Sequence, residues 1–404
     1  MRVMLFEPQF AGHNLVYARH ITEALLSHGI QVTLLTSRQA FESDEFRYHW
    51  SDISSNVHVL PSDGFKTKEE GRGRGIRVQG PSGLWSSLRV LYQGLRQTNP
   101  QHLYIPFGNP LSHVLGLPNP VSSYLRRHRI ESEIVLLFGK YSYPHKDFNS
   151  RLKQNVALRL LSRGPWRRIH HIVPHAVATM HQFNKRLGQI ARLLPDPIDP
   201  PPGFSKIDAR KQLGLEPSAK FISLVGLVEQ RKGIRDLLQA IQQAESLLAA
   251  DAKVLLAGKQ SAEARDILSN DFPLLSQSGR VVSLDRHLSQ SELWAACIAS
   301  DVITTPYPHH PYSASILIRA AAVGVPVLAN RIGWMEDVTK NHQLGWICNT
   351  RNPEEFAKAI STAFQRADDY RPSKTARDFV EFHSVANFQS LITERLRERL
   401  RSSA

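Results

Sequence analysis

Apolar positions along this chain follow two alternating patterns. Short continuous runs, such as Val3-Met4-Leu5-Phe6, read as strands buried on both faces. Between them, apolar side chains recur at three- and four-residue spacing, which reads as helix. The opening shows the unit: a strand over Arg2–Phe6, a loop from Pro8 to Asn14, and a helix from about Leu15 to His28 carrying Val16, Ile21, Ala24, Leu25 and Leu26. Gly29 ends that helix and a strand follows over Ile30–Thr36. Strand, helix, strand of this kind predicts a parallel sheet in a Rossmann-like half.

The pattern continues with a helix over Leu84–Gln97 and strands over His102–Pro106, Ser132–Phe138 and Ile169–Val173. Helices are predicted over Asn149–Arg163 and Ala176–Gly188. The stretch Ser62–Gly83 is polar and rich in Gly, Lys and Arg, and it reads as a mobile surface loop. Leu194 to Gly203 holds Pro195, Pro197, Pro200, Pro201 and Pro202, which no element interior tolerates. The boundary between two domains is expected there, residues 1–198 and 199–384. Beyond it the alternation starts afresh: strands over Phe221–Val225, Val254–Ala257, Val281–Leu284, Val302–Thr305 and Pro326–Ala329, with helices over Asp208–Leu213 and Ile234–Leu247. A charged amphipathic helix, Asn387–Arg401, closes the chain, and the segment 385–404 is expected to pack back on the first domain.

The organising stretch is Ser300–Val338. Its strand runs into Pro306 and Pro308, then a loop, then Ser313-Ala314-Ser315 at the start of a helix that Gly324 stops. Backbone N–H groups at a helix N-terminus, with Ser313 and Ser315 beside them, suit a phosphate. A serine before a helix is more often only a cap.

Ala320-Ala321-Ala322-Val323-Gly324-Val325-Pro326-Val327 resembles the tail of the signature of retaining GT-B glycosyltransferases of family 4. The two glutamates of that signature are replaced by Pro311 and Arg319. His28-Gly29-Ile30-Gln31-Val32 and Lys232-Gly233 resemble two further elements of the family, and Leu227 stands where its arginine would be. The resemblance implies an α/β GT-B fold: two Rossmann-like doubly wound domains facing a cleft, the first for the acceptor and the second for the donor. It implies transfer of a sugar from a nucleotide sugar with retention, in glycan, polysaccharide or glycolipid synthesis, with no cofactor and no metal.

Under that resemblance Lys232, His13 and His145 are candidate catalytic residues. A lysine at a strand-to-helix turn suits a diphosphate leaving group, whose charge grows as the glycosyl bond breaks. Gly12, Arg231, Arg286, Ser313, Ala314, Ser315, Ile316 and Arg319 are candidate donor contacts. Arg319 can pair with a phosphate or simply face solvent. Loss of the glutamates leaves open a catalytically inactive binding subunit, and a sugar-nucleotide epimerase is a third reading.

Charge adds a partner. The formal net charge is +14, and residues 1–200 carry most of it. Between Lys140 and Arg168, basic residues alternate with Leu152, Val156, Leu158, Leu160, Leu161 and Trp166. Such a stretch can lie on an anionic membrane with Trp166 at headgroup depth, or turn its leucines to the core. Cys297 and Cys348, the sole cysteines, read as inert core residues of a reducing compartment. The N-terminus lacks a signal-peptide pattern and no apolar run is long enough to span a bilayer, so a cytoplasmic protein able to attach peripherally to the inner face of a membrane is expected. P-loop, zincin and nucleophile-elbow motifs do not occur, and the basic segments lack the pattern of common RNA modules.

Overall fold

A computed structural model describes residues 1–10, 14–65, 68–70, 74–77, 80–139 and 147–402. The chain divides into two compact units, Met1–Pro197 with Val385–Ala404, and Ile198–Ser384. The first holds a seven-stranded sheet. Its strands are β1 (Arg2–Phe6), β2 (Gln31–Ser37), β3 (His58–Ser62), β4 (His102–Ile105), β5 (Glu131–Leu136), β6 (Arg168–His171) and β7 (Ala191–Leu193). The second holds a six-stranded sheet. Its strands are β8 (Lys220–Val225), β9 (Ala252–Ala257), β10 (Val281–Leu284), β11 (Val302–Thr305), β12 (Val327–Asn330) and β13 (Gly345–Cys348). Spatial orders are β3-β2-β1-β4-β5-β6-β7 and β10-β9-β8-β11-β12-β13. All neighbours pair in parallel. Both are doubly wound sheets, as the alternating pattern predicts.

The central strands are continuous apolar runs because helices cover both faces. Val3, Met4, Leu5 and Phe6 on β1 and Phe221, Ile222, Leu224 and Val225 on β8 are buried. The helix Ile234–Ala244 shows the complementary rule: Ile234, Leu237, Leu238 and Ile241, at i, i+3, i+4 and i+7, are its buried face.

Several sequence expectations are corrected. The polar stretch from Ser62 to Gly83 contains a two-stranded antiparallel sheet, Lys68–Glu70 with Arg74–Arg77. The next helix starts at Gly80 and runs to Thr98. The helix expected over Ala176–Gly188 is two, Pro174–Phe183 and Lys185–Ile190. Asn184 separates them, its side chain accepting from the Leu187 amide. Trp166 is 3% exposed, so it cannot sit among lipid headgroups. On the helix Phe148–Arg163, Ala157, Leu158 and Leu161 are buried, whereas Phe148, Leu152 and Val156 are exposed. Cys297 and Cys348 are both buried.

The last helix, Val385–Ser402, belongs to the first unit. Phe388 enters its core, edge-on to Tyr17 at 5.5 Å between ring centroids. The Tyr104 hydroxyl donates to the Ile392 carbonyl at 3.0 Å, and Arg168 pairs with Glu394 at 2.7 Å. Beneath it lies a buried acid–imidazole group. Glu133 on β5 has His170 Nε2 at 2.7 Å and His102 Nε2 at 3.4 Å, from the two flanking strands. Burial alone would push Glu133 up. The hydrogen bond from His170 and the charges of His102, His170 and Arg168 outweigh it and hold Glu133 below the ordinary value of 4.5.

A depressed folded value means that Glu133 contributes stability above pH 4.5 and loses it as pH falls through the folded value. Glu133→Ala strands buried imidazoles without their acceptor and is expected to cost roughly 3–5 kcal/mol near neutral pH. The difference in melting temperature between wild type and variant should shrink as pH drops below 4.5. A difference that stays constant with pH would refute the linkage.

Candidate functional site

Backbone conformation builds the site before any side chain enters it. Strand β8 exits into Gly226, then a single 3₁₀ turn, Gln230–Lys232, then Gly233 and the helix from Ile234. Gly226 and Gly233 have φ of 92° and 79°, in the left-handed region open to glycine. A Cβ on Gly233 would stand 2.1 Å from the Pro306 carbonyl oxygen. A Cβ on Gly258, after β9, would stand 2.3 Å from the Gly226 carbonyl oxygen. These glycines let the loops after β8, β9 and β11 close on one another. Strand order reverses between β8 and β11, and ligands of open α/β sheets bind outside the carboxyl ends of strands at such a point.

Lys232 stands at this switch point. Its Nζ donates to the Val225 carbonyl at 3.4 Å and lies 5.6 Å from the centre of the Tyr307 ring. Burial, then the Arg231 charge, with Glu229 opposing, bring its pKa from 10.5 down to about 8. Arg231, on the same turn, pairs through Nε with the buried Glu229 carboxylate and is otherwise exposed. Tyr307 is buried, and its carbonyl accepts from Asn330 Nδ2 at 2.9 Å.

Sequence reasoning missed His310. Its Nε2 donates to the Ser313 carbonyl at 3.0 Å. Its ring stands edge-on to Tyr307 at 5.8 Å and to Tyr312 at 5.5 Å between centroids. Desolvation lowers its pKa below 6.5, the contact to Ser313 opposes, and the charges of Arg231 and Lys232 lower it further. Lys232, Arg231, Tyr307 and His310 therefore form one electrostatic group. The available signal was compositional: from Val302 to Met335 there is no acidic residue, while Tyr307, His309, His310 and Tyr312 crowd one loop.

Other predicted residues fall as follows. The helix Ser315–Ala322 has Ala314 at its N-cap and no side-chain cap hydrogen bond, so neither Ser313 nor Ser315 caps it. Ala314 and Ile316 are buried at that helix start. Arg319 does not face solvent. It is buried with its guanidinium 4.5 Å over the Trp294 ring, and it donates to Gln290 Oε1 at 3.1 Å. Arg286 pairs at 2.5 Å with Glu292, the capping-box residue of the helix Gln290–Ala299. Gly12, His13 and His145 lie outside the described residues.

Residues 219–366 match the family model for glycosyl transferases group 1. A glycosyltransferase of Methanocaldococcus jannaschii is 28% identical over 155 residues, which is 38% of each chain. A D-inositol 3-phosphate glycosyltransferase of Corynebacterium urealyticum is 27% identical over 179 residues, 42% of each. The matched stretch thus spans about two fifths of these curated relatives. Among solved structures, sucrose-phosphate synthase from Thermosynechococcus elongatus superposes over 100% of both chains with a TM-score of 0.73 at 18% identity. Anabaena HepE, solved with UDP and glucose, superposes over 98% of this chain and 100% of its own with a TM-score of 0.69 at 14% identity. The fold is GT-B.

A lysine with a pKa of about 8 is far more often uncharged near that pH than one at 10.5. Brief acetylation at about pH 8, read by peptide mass, is expected to mark Lys232 well ahead of Lys374, whose side chain is 81% exposed. Labelling of Lys232 no faster than that of Lys374 would refute the shift.

Proposed function

We propose that this chain, a GT-B protein whose residues 219–366 form a group 1 glycosyltransferase domain, moves a sugar from a nucleotide-sugar donor to an acceptor. The observation that carries the reading is Lys232, with Arg231, at the switch point of the second sheet. Cations there meet the diphosphate of the donor and stabilise the charge that grows as the glycosyl bond breaks. Ser313, Ser315 and the amides of Ala314 and Ile316 complete the diphosphate contacts at a helix N-terminus. The UDP and glucose bound to HepE support a nucleotide-sugar donor of that kind. The family resemblance supports retention of anomeric configuration, and His13 and His145 bind the sugar or position the acceptor in this reading.

The test is turnover with a panel of sugar nucleotides. Lys232→Ala is expected to lower turnover by at least about a hundredfold, as loss of one transition-state charge contact does, while the fold persists by circular dichroism. Unchanged turnover would remove Lys232 from the site.

The acceptor reading rests on the first unit, and it places the protein on the cytoplasmic face of a membrane carrying a lipid-linked glycan. Along the helix Phe148–Arg163, the exposed Phe148, Leu152 and Val156 follow at four-residue spacing, and the exposed Arg159 and Arg163 continue that face. The helix contains no acidic residue. Its apolar stripe suits the headgroup boundary, and each arginine or lysine near an anionic leaflet contributes about 1 kcal/mol. No described helix is long and apolar enough to cross a membrane.

In liposome flotation the protein is expected to rise with anionic vesicles, to release as salt increases, and to ignore neutral vesicles. Phe148→Ser with Leu152→Ser should abolish flotation without lowering the melting temperature, since both side chains are exposed. Flotation unaffected by the double substitution would refute this face.

A further inference from the structure

The acid-free stretch from Val302 to Met335 raises a recognition question. A sugar presents hydroxyls, each of which donates as well as accepts. Lys232 and Arg231 can only donate. No carboxylate lies between Val302 and Met335 to accept a sugar hydroxyl proton. Glu229, the acid nearest in sequence to both cations, is buried and already paired with Arg231.

His310 supplies an acceptor by geometry. The Ser313 carbonyl can only accept, so Nε2 carries the proton and Nδ1 keeps a bare lone pair. Nδ1 has no hydrogen-bond partner among the described residues. The edge-on contacts with Tyr307 and Tyr312 pin the ring on two sides.

We propose that His310 is a specificity-determining residue whose Nδ1 accepts a hydrogen bond from a hydroxyl of the donor sugar, so that this protein reads its sugar with a neutral imidazole. The inference rests on the donor-site reading above. Desolvation disfavours the imidazolium of His310, the contact with Ser313 opposes, and the charges of Arg231 and Lys232 on the turn after β8 add to the desolvation. Tyr307 and Tyr312, the rings it meets edge-on, are uncharged near neutral pH, both phenols being raised above 10.0 by burial.

Calorimetry on the full chain tests it with UDP-glucose, GDP-mannose and ADP-glucose, each against its bare nucleoside diphosphate. The pair bound most tightly is carried forward. His310→Ala is expected to leave affinity for the diphosphate within about twofold and to weaken the sugar nucleotide roughly 10- to 100-fold, the usual effect of one lost polar contact. His310→Asn, whose Oδ1 sits near the place of Nδ1, should recover part of the loss. In wild type, the advantage of sugar nucleotide over diphosphate should persist at pH 6.5, the ordinary histidine midpoint, and disappear on further acidification as the ring protonates. If His310→Ala weakens both ligands equally, or neither, or if wild type binds the diphosphate as well as the sugar nucleotide, the inference fails. If wild type binds none of the diphosphates, the donor-site reading itself fails.

Discussion

The second unit depends on backbone meeting backbone at one sheet edge. Gly233 touches the Pro306 carbonyl and Gly258 touches the Gly226 carbonyl, at separations where a methyl group would collide. Those contacts fix the loop after β8 against the loops after β9 and β11. The left-handed φ at Gly226 and Gly233 turns the chain sharply enough to put Lys232 back over the end of its own strand, within reach of the Val225 carbonyl. Position here is a consequence of glycine, and chemistry a consequence of position.

That position is electrostatically costly. Lys232 has Arg231 beside it and a neutral tyrosine ring above it, and desolvation outweighs the help from Glu229. A group held near its own titration point is responsive: an anion bound beside it restores the full charge, and part of the binding free energy goes into taking up a proton. Desolvation, helped by the charges of Arg231 and Lys232, likewise disfavours the protonated form of His310. One local field thus holds a weakened cation and a neutral acceptor side by side, a pairing suited to a ligand that is anionic at one end and hydroxylated at the other.

Much of the doubly wound fold was legible because buried parallel strands are continuous apolar runs. β1, β8 and β11 are such runs, and the sequence pattern placed them to within a residue or so. What was hidden was weakly buried or nonlocal. β3 is an edge strand whose residues are only half-buried, so it carries no apolar run. The Lys68–Glu70 and Arg74–Arg77 pairing is made by backbone across charged side chains, and composition does not register it. Asn184 was a readable stop, since its side chain caps the following helix, but apolar spacing on both sides concealed it. In the candidate site, Lys232 and Gly233 were legible as neighbours in sequence. His310 was not, because its value comes from Ser313, Tyr307, Arg231 and Lys232, which only the folded loops bring together. Trp166 failed in the opposite sense: an aromatic beside basic residues reads as surface, yet it fills space beside Gly164, where even a Cβ would stand 2.1 Å from its indole nitrogen.

The two sheets share a strand order through six strands, yet their first loops hold opposite chemistry. After β1, Glu7 is fully buried; burial raises its carboxyl well above 4.5, and the Gln9 amide donates to Oε1 at 3.0 Å. After β8, the equivalent edge holds Glu229, Arg231 and Lys232 around a turn. Topology therefore decides where an edge site forms and says little about what it binds. In the first unit the edge keeps a buried acid within a turn tied down by Thr36 and Ser37, whose hydroxyls donate to the Glu7 and Pro8 carbonyls at 2.7 Å. In the second it keeps Arg231 near solvent and Lys232 desolvated. Among the described residues of these two first loops, cationic side chains stand only after β8.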